Sequence, residues 1–313
     1  FESLAAHLFA LAEVTPMASP ESTPLRIIVF STLPAEGVVA VLTLFKQLGH
    51  EVPLIVTTPG PTTRRQHTYA DIVAALPTGQ DILISNHMNR LAPMLAPLRP
   101  DPIFTASFPW RLPAELLTLP RLGAVNAHPA LLPRHRGPNP LFWTVINGDT
   151  QAGLTFHRMA PDFDTGPILA QSAIEVTPED DVDTLLARIT AAAAALFPRV
   201  LQAVASGDPG VPQREENASY ARVCTEEDRW LDWTRPATQL HNHVRAWGRS
   251  GAWATLEGQR IVARRARVED APAGEGSPGS VLSRSPEGVA VRSGSGALVL
   301  TDYGPFVEPE TGE

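Results

Sequence analysis

The sequence predicts an α/β protein: a doubly wound, mostly parallel sheet followed by a smaller, β-rich, barrel-like C-terminal domain. Three observations predict it. Short apolar runs alternate with amphipathic segments through the first two-thirds of the chain, the pattern of strands joined by crossover helices. A polar stretch at 206–218, with two prolines and two glycines, interrupts that pattern. Beyond it, short β-rich runs are punctuated by turn residues.

Residues 1–24 read as an N-terminal extension. Leu4, Leu8 and Leu11 stand at helical spacing there, and His7, Glu13 and the lack of a basic start argue against a secretory leader. Residues 26–31 are a β-branched apolar run, the mark of a central parallel strand. Residues 35–49 read as a helix, with Val38, Leu42, Phe45 and Leu48 along one stripe and Gly49 as its stop. Strands are expected at 52–57, 81–85, 102–107 and 123–126, with helices at 70–76 and 91–98. Residues 154–159 and 168–175 read as strands flanking a turn at Asp164. Residues 181–205 form a long helix supported by five consecutive alanines, 191–195. The catalytic domain is therefore expected over 25–205 and a linker over 206–218. The β-rich domain is expected over 219–305, with a helix at 236–247, and an acidic tail over 306–313.

Composition narrows the function. Residues 1–205 carry 13 Lys+Arg against 17 Asp+Glu, and residues 206–313 carry 12 against 16, so neither half is a basic nucleic-acid footprint. No apolar run is long enough to span a bilayer, and no membrane partner is expected. One cysteine, Cys224, excludes an internal disulfide and argues against a cysteine-based zinc site. It reads as inert packing in a cytoplasmic protein.

Residues 124–133 hold the most telling chemistry. Asn126 and His128 lie two apart at the end of a buried strand. At that spacing both side chains point the same way, and the carboxyl ends of such strands are where these sheets bind ligands. Downstream, Asp162-Phe163-Asp164-Thr165-Gly166-Pro167 sets a carboxylate on a tight turn. A carboxamide donor, an imidazole and an anion together suit acyl transfer to an amine. That reaction needs an oxyanion donor, a proton acceptor and a group to hold the imidazole.

On these residues the chain resembles the folate-dependent formyltransferases, most closely the members that act on methionyl-tRNA. Asn126-Ala127-His128 followed by Leu131-Leu132-Pro133-Arg134-His135-Arg136-Gly137 is similar to the family's N-x-H and S-L-L-P-x-x-x-G signature, with Ala130 in place of the serine. Asn147-Gly148-Asp149, Gly153-Leu154-Thr155 and Asp164-Thr165-Gly166 follow in the family's order. Ser219-Tyr220-Ala221, Leu231-Asp232-Trp233 and the helix around Arg245 resemble its C-terminal domain. The resemblance spans about residues 25–303. It implies a Rossmann-like formyltransferase fold, N10-formyltetrahydrofolate as donor, no metal, and Asn126, His128 and Asp164 as the catalytic set. It also implies donor contacts at Phe108, Pro109, Trp110, Asp162 and Phe163. Leu131, Leu132, Pro133 and Gly137 are its structural motif. Arg134 and Arg136 read either as contacts to an anionic acceptor or as solvated loop residues.

The acceptor is where the chain departs from those members. They carry a basic, lysine-containing insertion after the second strand; here that stretch offers Arg64 and Arg65 and no lysine, and Lys46 is the only lysine in the chain. A tRNA reader needs several phosphate contacts. Arg260, Arg264, Arg265 and Arg267 fall on both faces of an expected strand and read as a solvated edge. The sequence therefore favours a small primary amine, an amino sugar or a biosynthetic amine, as acceptor. Methionyl-tRNA is the alternative. Hydrolysis of the formyl group is a second alternative, and a folate-binding module without catalysis a third. His135 and His157 read as surface or packing residues. Trp230, Trp233, Trp247 and Trp253 read as core of the second domain.

Overall fold

In the computed structural model, strand β1 (Arg26–Ser31) is buried from Ile27 to its end, as a central parallel strand with both faces covered must be. The structure describes residues 23–59, 68–271 and 276–308. The helical spacing near Leu4, and Arg64 and Arg65, lie outside the described residues.

After β1 come α1 (Ala35–Gln47), β2 (Glu51–Thr57), α2 (Thr68–Ala75), β3 (Ile82–Ile84), α3 (Leu91–Leu95), β4 (Ile103–Ala106), α4 (Ala114–Thr118) and β5 (Ala124–His128). Then follow α5 (Pro140–Ile146), β6 (Gln151–Arg158), β7 (Ile168–Glu175) and α6 (Val182–Ala205). The seven strands are ordered β3-β2-β1-β4-β5-β6-β7. The pairings from β3 through β5 are parallel and β5–β6 is antiparallel. Strand order reverses between β1 and β4, the switch point beside which such sheets open a crevice. An aromatic cluster seals one face: Phe45 on α1, Phe104 on β4, Phe156 on β6 and Phe197 on α6 have ring centroids 5.1–5.9 Å apart.

The chain forms two compact units that alternate along the sequence. One takes in the chain up to Pro138, Gly153–Ile174 and Ala187–Tyr220; the other takes Asn139–Ala152, Glu175–Leu186 and the chain from Ala221. The stretch expected as a linker lies in the first. Val211 and Ile168 exchange both backbone hydrogen bonds at 2.8 Å. Its prolines and glycines mark turns, yet Val211 finds both its backbone partners on the sheet.

The second unit carries α7 (Ala237–Trp247), β8 (Ala252–Leu256), β9 (Gln259–Glu269), β10 (Val281–Ser285), β11 (Gly288–Arg292) and β12 (Ala297–Pro305). Its strands form an antiparallel sheet ordered β10-β11-β12-β9-β8. Leu231, Leu240, Val244, Val291, Leu298 and Leu300 make its core, and Trp233 and Trp247 pack on it. Trp253 is buried, as the sequence predicts. Burial, with Asp228 nearby, pushes the Cys224 thiol up to about 12, so it stays protonated and unreactive. Among the described residues, no single helix is long and apolar enough to cross a membrane.

Phe156 is fully buried and touches Phe104 and Phe197. Phe156→Ala is expected to destabilise the protein by about 3–5 kcal/mol, read as a lower urea midpoint at unchanged slope.

Candidate active site

The site is built at the carboxyl end of β5. Thr105 on β4 stands beside Asn126 in the parallel ladder, and His157 on β6 stands directly opposite Asn126. The Thr105 hydroxyl donates to Asn126 Oδ1 at 2.6 Å. That bond fixes which end of the carboxamide faces inward, so Nδ2 is the donor end. Asn126 Nδ2 reaches Asp164 Oδ1 and His157 Nε2, both at 3.2 Å.

His128 is buried, and its Nε2–H donates to the His135 carbonyl at 2.8 Å. Its Nδ1 lies 3.5 Å from Asp164 Oδ2. Burial pushes the ring below the usual histidine value; Asp164 opposes this and His157 reinforces it. At neutral pH His128 is therefore uncharged, with Nδ1 as its basic nitrogen.

Asp164 lies in the turn between β6 and β7 with φ +55°. Its Oδ2 accepts the Gly137 N–H at 2.8 Å. Gly137, at φ +106°, has the backbone freedom that aims this N–H inward. Burial alone would raise the Asp164 carboxyl, but the His128 ring, hydrogen bonding and charge from His157, and the Gly137 N–H hold it down to about 2. Gly166 lets the turn close, since a Cβ there would collide with the Arg158 carbonyl.

The loop after β5 is tied to the sheet. Thr155 Oγ1 donates to the Ala130 carbonyl at 2.6 Å and accepts the Leu132 N–H at 3.2 Å and Gln171 Nε2 at 2.7 Å. The Leu132–Pro133 peptide is cis. Leu131 packs where Gly153 has no side chain, a place any Cβ would fill.

The structure thus brings together Asn126, His128 and Asp164. It also brings in His157, expected as a surface or packing residue; its Nε2 is 3.3 Å from Asp164 Oδ1 while its Nδ1–H donates to the Arg158 carbonyl at 2.8 Å. The one available signal was polar Thr155 and His157 two apart in an otherwise apolar run. Phe108 and Trp110 are half-buried on the core: Phe108 meets Phe30 edge-on at 5.2 Å, and Trp110 Nε1 donates to Thr58 Oγ1 at 3.0 Å. Pro109 lies half-buried between them. Asp162 and Phe163 line an open cavity of about 480 Å³ with Arg111, Thr165, Ser219 and Tyr220. Arg111 pairs with Asp162 at 2.7 Å and lies over the Phe163 ring. Arg134 is exposed. Arg136, the other arginine read as an acceptor contact or a loop residue, also lines that cavity; it is largely buried and bonded to Gln213 and Glu215. Among the described residues, no group of three or more His, Cys, Asp or Glu is placed to hold a metal.

A family profile described as formyl transferase matches residues 25–201, and one described as formyl transferase, C-terminal domain, matches 224–305. The methionyl-tRNA formyltransferase of Myxococcus xanthus is 34% identical over 89% of this chain and 90% of its own. That of Thiobacillus denitrificans is 36% identical over 88% and 90%. Among solved structures, an N-formyltransferase from Helicobacter canadensis, in complex with folinic acid and dTDP-3-aminofucose, aligns with a TM-score of 0.64 at 13% identity, over 89% of this chain and 99% of its own. HypX from Aquifex aeolicus, in complex with tetrahydrofolic acid, aligns at 0.61 and 20% identity over 90% of this chain, which spans 44% of HypX. At these identities the solved structures attest the fold.

A carboxylate held at a depressed value stabilises the fold above its ordinary titration range and loses that contribution as pH falls through the lowered value. The Asp164 contribution is therefore expected in full above about pH 4 and gone near pH 2. Denaturant unfolding of wild type and Asp164→Asn checks it: their stability difference should shrink across that interval.

Proposed function

We propose, for a chain that belongs to the formyl transferase family, that it moves the formyl group of N10-formyltetrahydrofolate onto the α-amino group of methionyl-tRNA. The observation that carries this acceptor is the run of relatives named methionyl-tRNA formyltransferase, 34–36% identical over 88–89% of the chain and so through both halves. The half-buried Asn126 with buried His128 and Asp164 supports the transfer chemistry, and the cavity lined by Asp162, Phe163 and Thr165, the neighbours of Asp164 in its turn, supports a bulky substrate.

The folate supplies an activated formyl group whose bond to N10 breaks as the amide bond forms. This chain's residues do the rest. Asn126 Nδ2, locked inward by Thr105, donates to the oxygen on which charge develops. Neutral His128 takes the proton that the attacking amine sheds, and the ring, once charged, hands it to the departing nitrogen. Ionised Asp164, 3.5 Å from Nδ1, steadies the imidazolium. A lone, protonated Cys224 suits a reducing cytoplasm.

A small primary amine remains the second reading, and one observation favours it. Three of the four arginines of β9 have acidic partners: Arg260 with Glu308 at 3.5 Å, Arg264 with Asp302 at 3.9 Å, and Arg267 with Glu269 and Glu287. The net charge of −8 points the same way, because a sugar amine needs no polyanion-binding face. Water as acceptor would make the chain a hydrolase.

Formyl transfer measured side by side with methionyl-tRNA and an amino-sugar nucleotide decides among them. Methionyl-tRNA turnover, with KM rising on the order of 10–100-fold between about 50 and 200 mM salt, supports the proposal. Turnover confined to the small amine overturns the acceptor. Formate release without any amine overturns transfer itself. Asn126→Ala is expected to lower kcat about 10²–10³-fold. His128→Ala is expected to reduce turnover far more than folate affinity. Because the working form of His128 is neutral and burial favours that form, activity should fall only as pH drops through a value below the usual histidine range.

A further inference from the structure

The segment that follows α6 lies across both catalytic loops. Ser219 takes the loop after β5: its N–H donates to the Pro133 carbonyl at 3.2 Å, its carbonyl accepts the Arg136 N–H at 2.9 Å, and its Oγ accepts the His135 N–H at 2.9 Å. Gln213 takes the other loop: its Nε2 donates to the carbonyls of Asp164 at 2.7 Å and Gly166 at 2.8 Å. Its Oε1 accepts Arg136 Nε at 3.0 Å and Nη2 at 2.8 Å. Arg136 is completed by two bonds to the Glu215 carboxylate at 2.8 and 2.9 Å.

Asp164 is thus held from two sides. Gly137 N–H holds its carboxylate and Gln213 holds its main-chain carbonyl. The two holders meet through Arg136, the residue before Gly137. A non-glycine residue in the left-handed region costs on the order of 1–3 kcal/mol and persists only where its surroundings enforce it. Only a carboxamide offers two donors to two carbonyls and an acceptor to a guanidinium at once. A carboxylate at 213 would set an anion against both carbonyl oxygens.

We infer that Gln213 is a positioning residue of the transfer reaction: by clamping the Asp164 turn to Arg136, it sets the catalytic carboxylate against His128. This rests on the formyl-transfer reading and is indifferent to which amine accepts. The charged and titratable groups that face His128 are Asp164, His157 and His135, and Asp164 is the one that opposes the ring's burial. A slack turn therefore weakens catalysis and lets the ring titrate lower still.

The test compares wild type with Gln213→Ala, with the packing-conserving Gln213→Met and with Gln213→Glu. Glu216→Ala, an exposed neighbour, is the control. Each full-length protein is assayed for kcat and KM from pH 5 to 8, for its melting point, and for the pH titration of the His128 ring by NMR. For the three Gln213 variants we expect kcat to fall about 10- to 100-fold with donor KM nearly unchanged. The acid limb of the rate profile and the His128 titration should both move to lower pH, and Glu216→Ala should match wild type. A kcat within twofold of wild type in Gln213→Met, or a lower rate with an unmoved His128 titration, overturns the inference. If wild type transfers formyl to no amine, the functional reading fails separately. The ring titration then still decides whether Gln213 sets the carboxylate against His128.

Discussion

One buried anion organises the first unit. A carboxylate removed from water survives only where donors and nearby polar groups replace its hydration. Asp164 has the Gly137 N–H, the Asn126 amide and two imidazoles around it. Each partner constrains a different segment. Asn126 fixes the end of β5, His157 the register of β6, and Gly137 the loop between them. The geometry of the site follows from satisfying that one group, and the left-handed backbone at Asp164 is its local consequence.

Much of this was legible in the sequence. Asn126 and His128 are two apart on a strand, so periodicity alone turns them to one side. Asp164 was legible as a carboxylate on a Gly-Pro turn, and the order of the motif blocks joined it to the pair. His157 was not legible, because its place depends on pairing β6 antiparallel to β5 with Asn126 opposite it. The two strands are joined through a long connection that includes α5, so no hairpin turn sets their register. Arg136 shows the converse limit. Its charge suggested a surface role, yet Gln213 and Glu215, far along the chain, take it inside.

In the second unit the elements were legible and their arrangement was not. The helix expected at 236–247 is α7, Ala237–Trp247, and the strand expected at 260–268 is β9, Gln259–Glu269. Periodicity and turn residues fix such boundaries locally. The order β10-β11-β12-β9-β8 depends on which apolar faces meet. Alternation likewise divided the arginines of β9 between two faces without revealing the acids that pair with three of them.

The chain passes between its two units five times, after Pro138, Ala152, Ile174, Leu186 and Tyr220. Helix α5, which sits early in the sequence, packs with α7, a hundred residues later, through Phe142 and Trp247 at 5.0 Å. No single breakpoint in the gene separates the units. A chimera joined near Tyr220 would inherit α5 from one parent and α7 from the other, so recombination between relatives preserves this packing only when both stretches travel together.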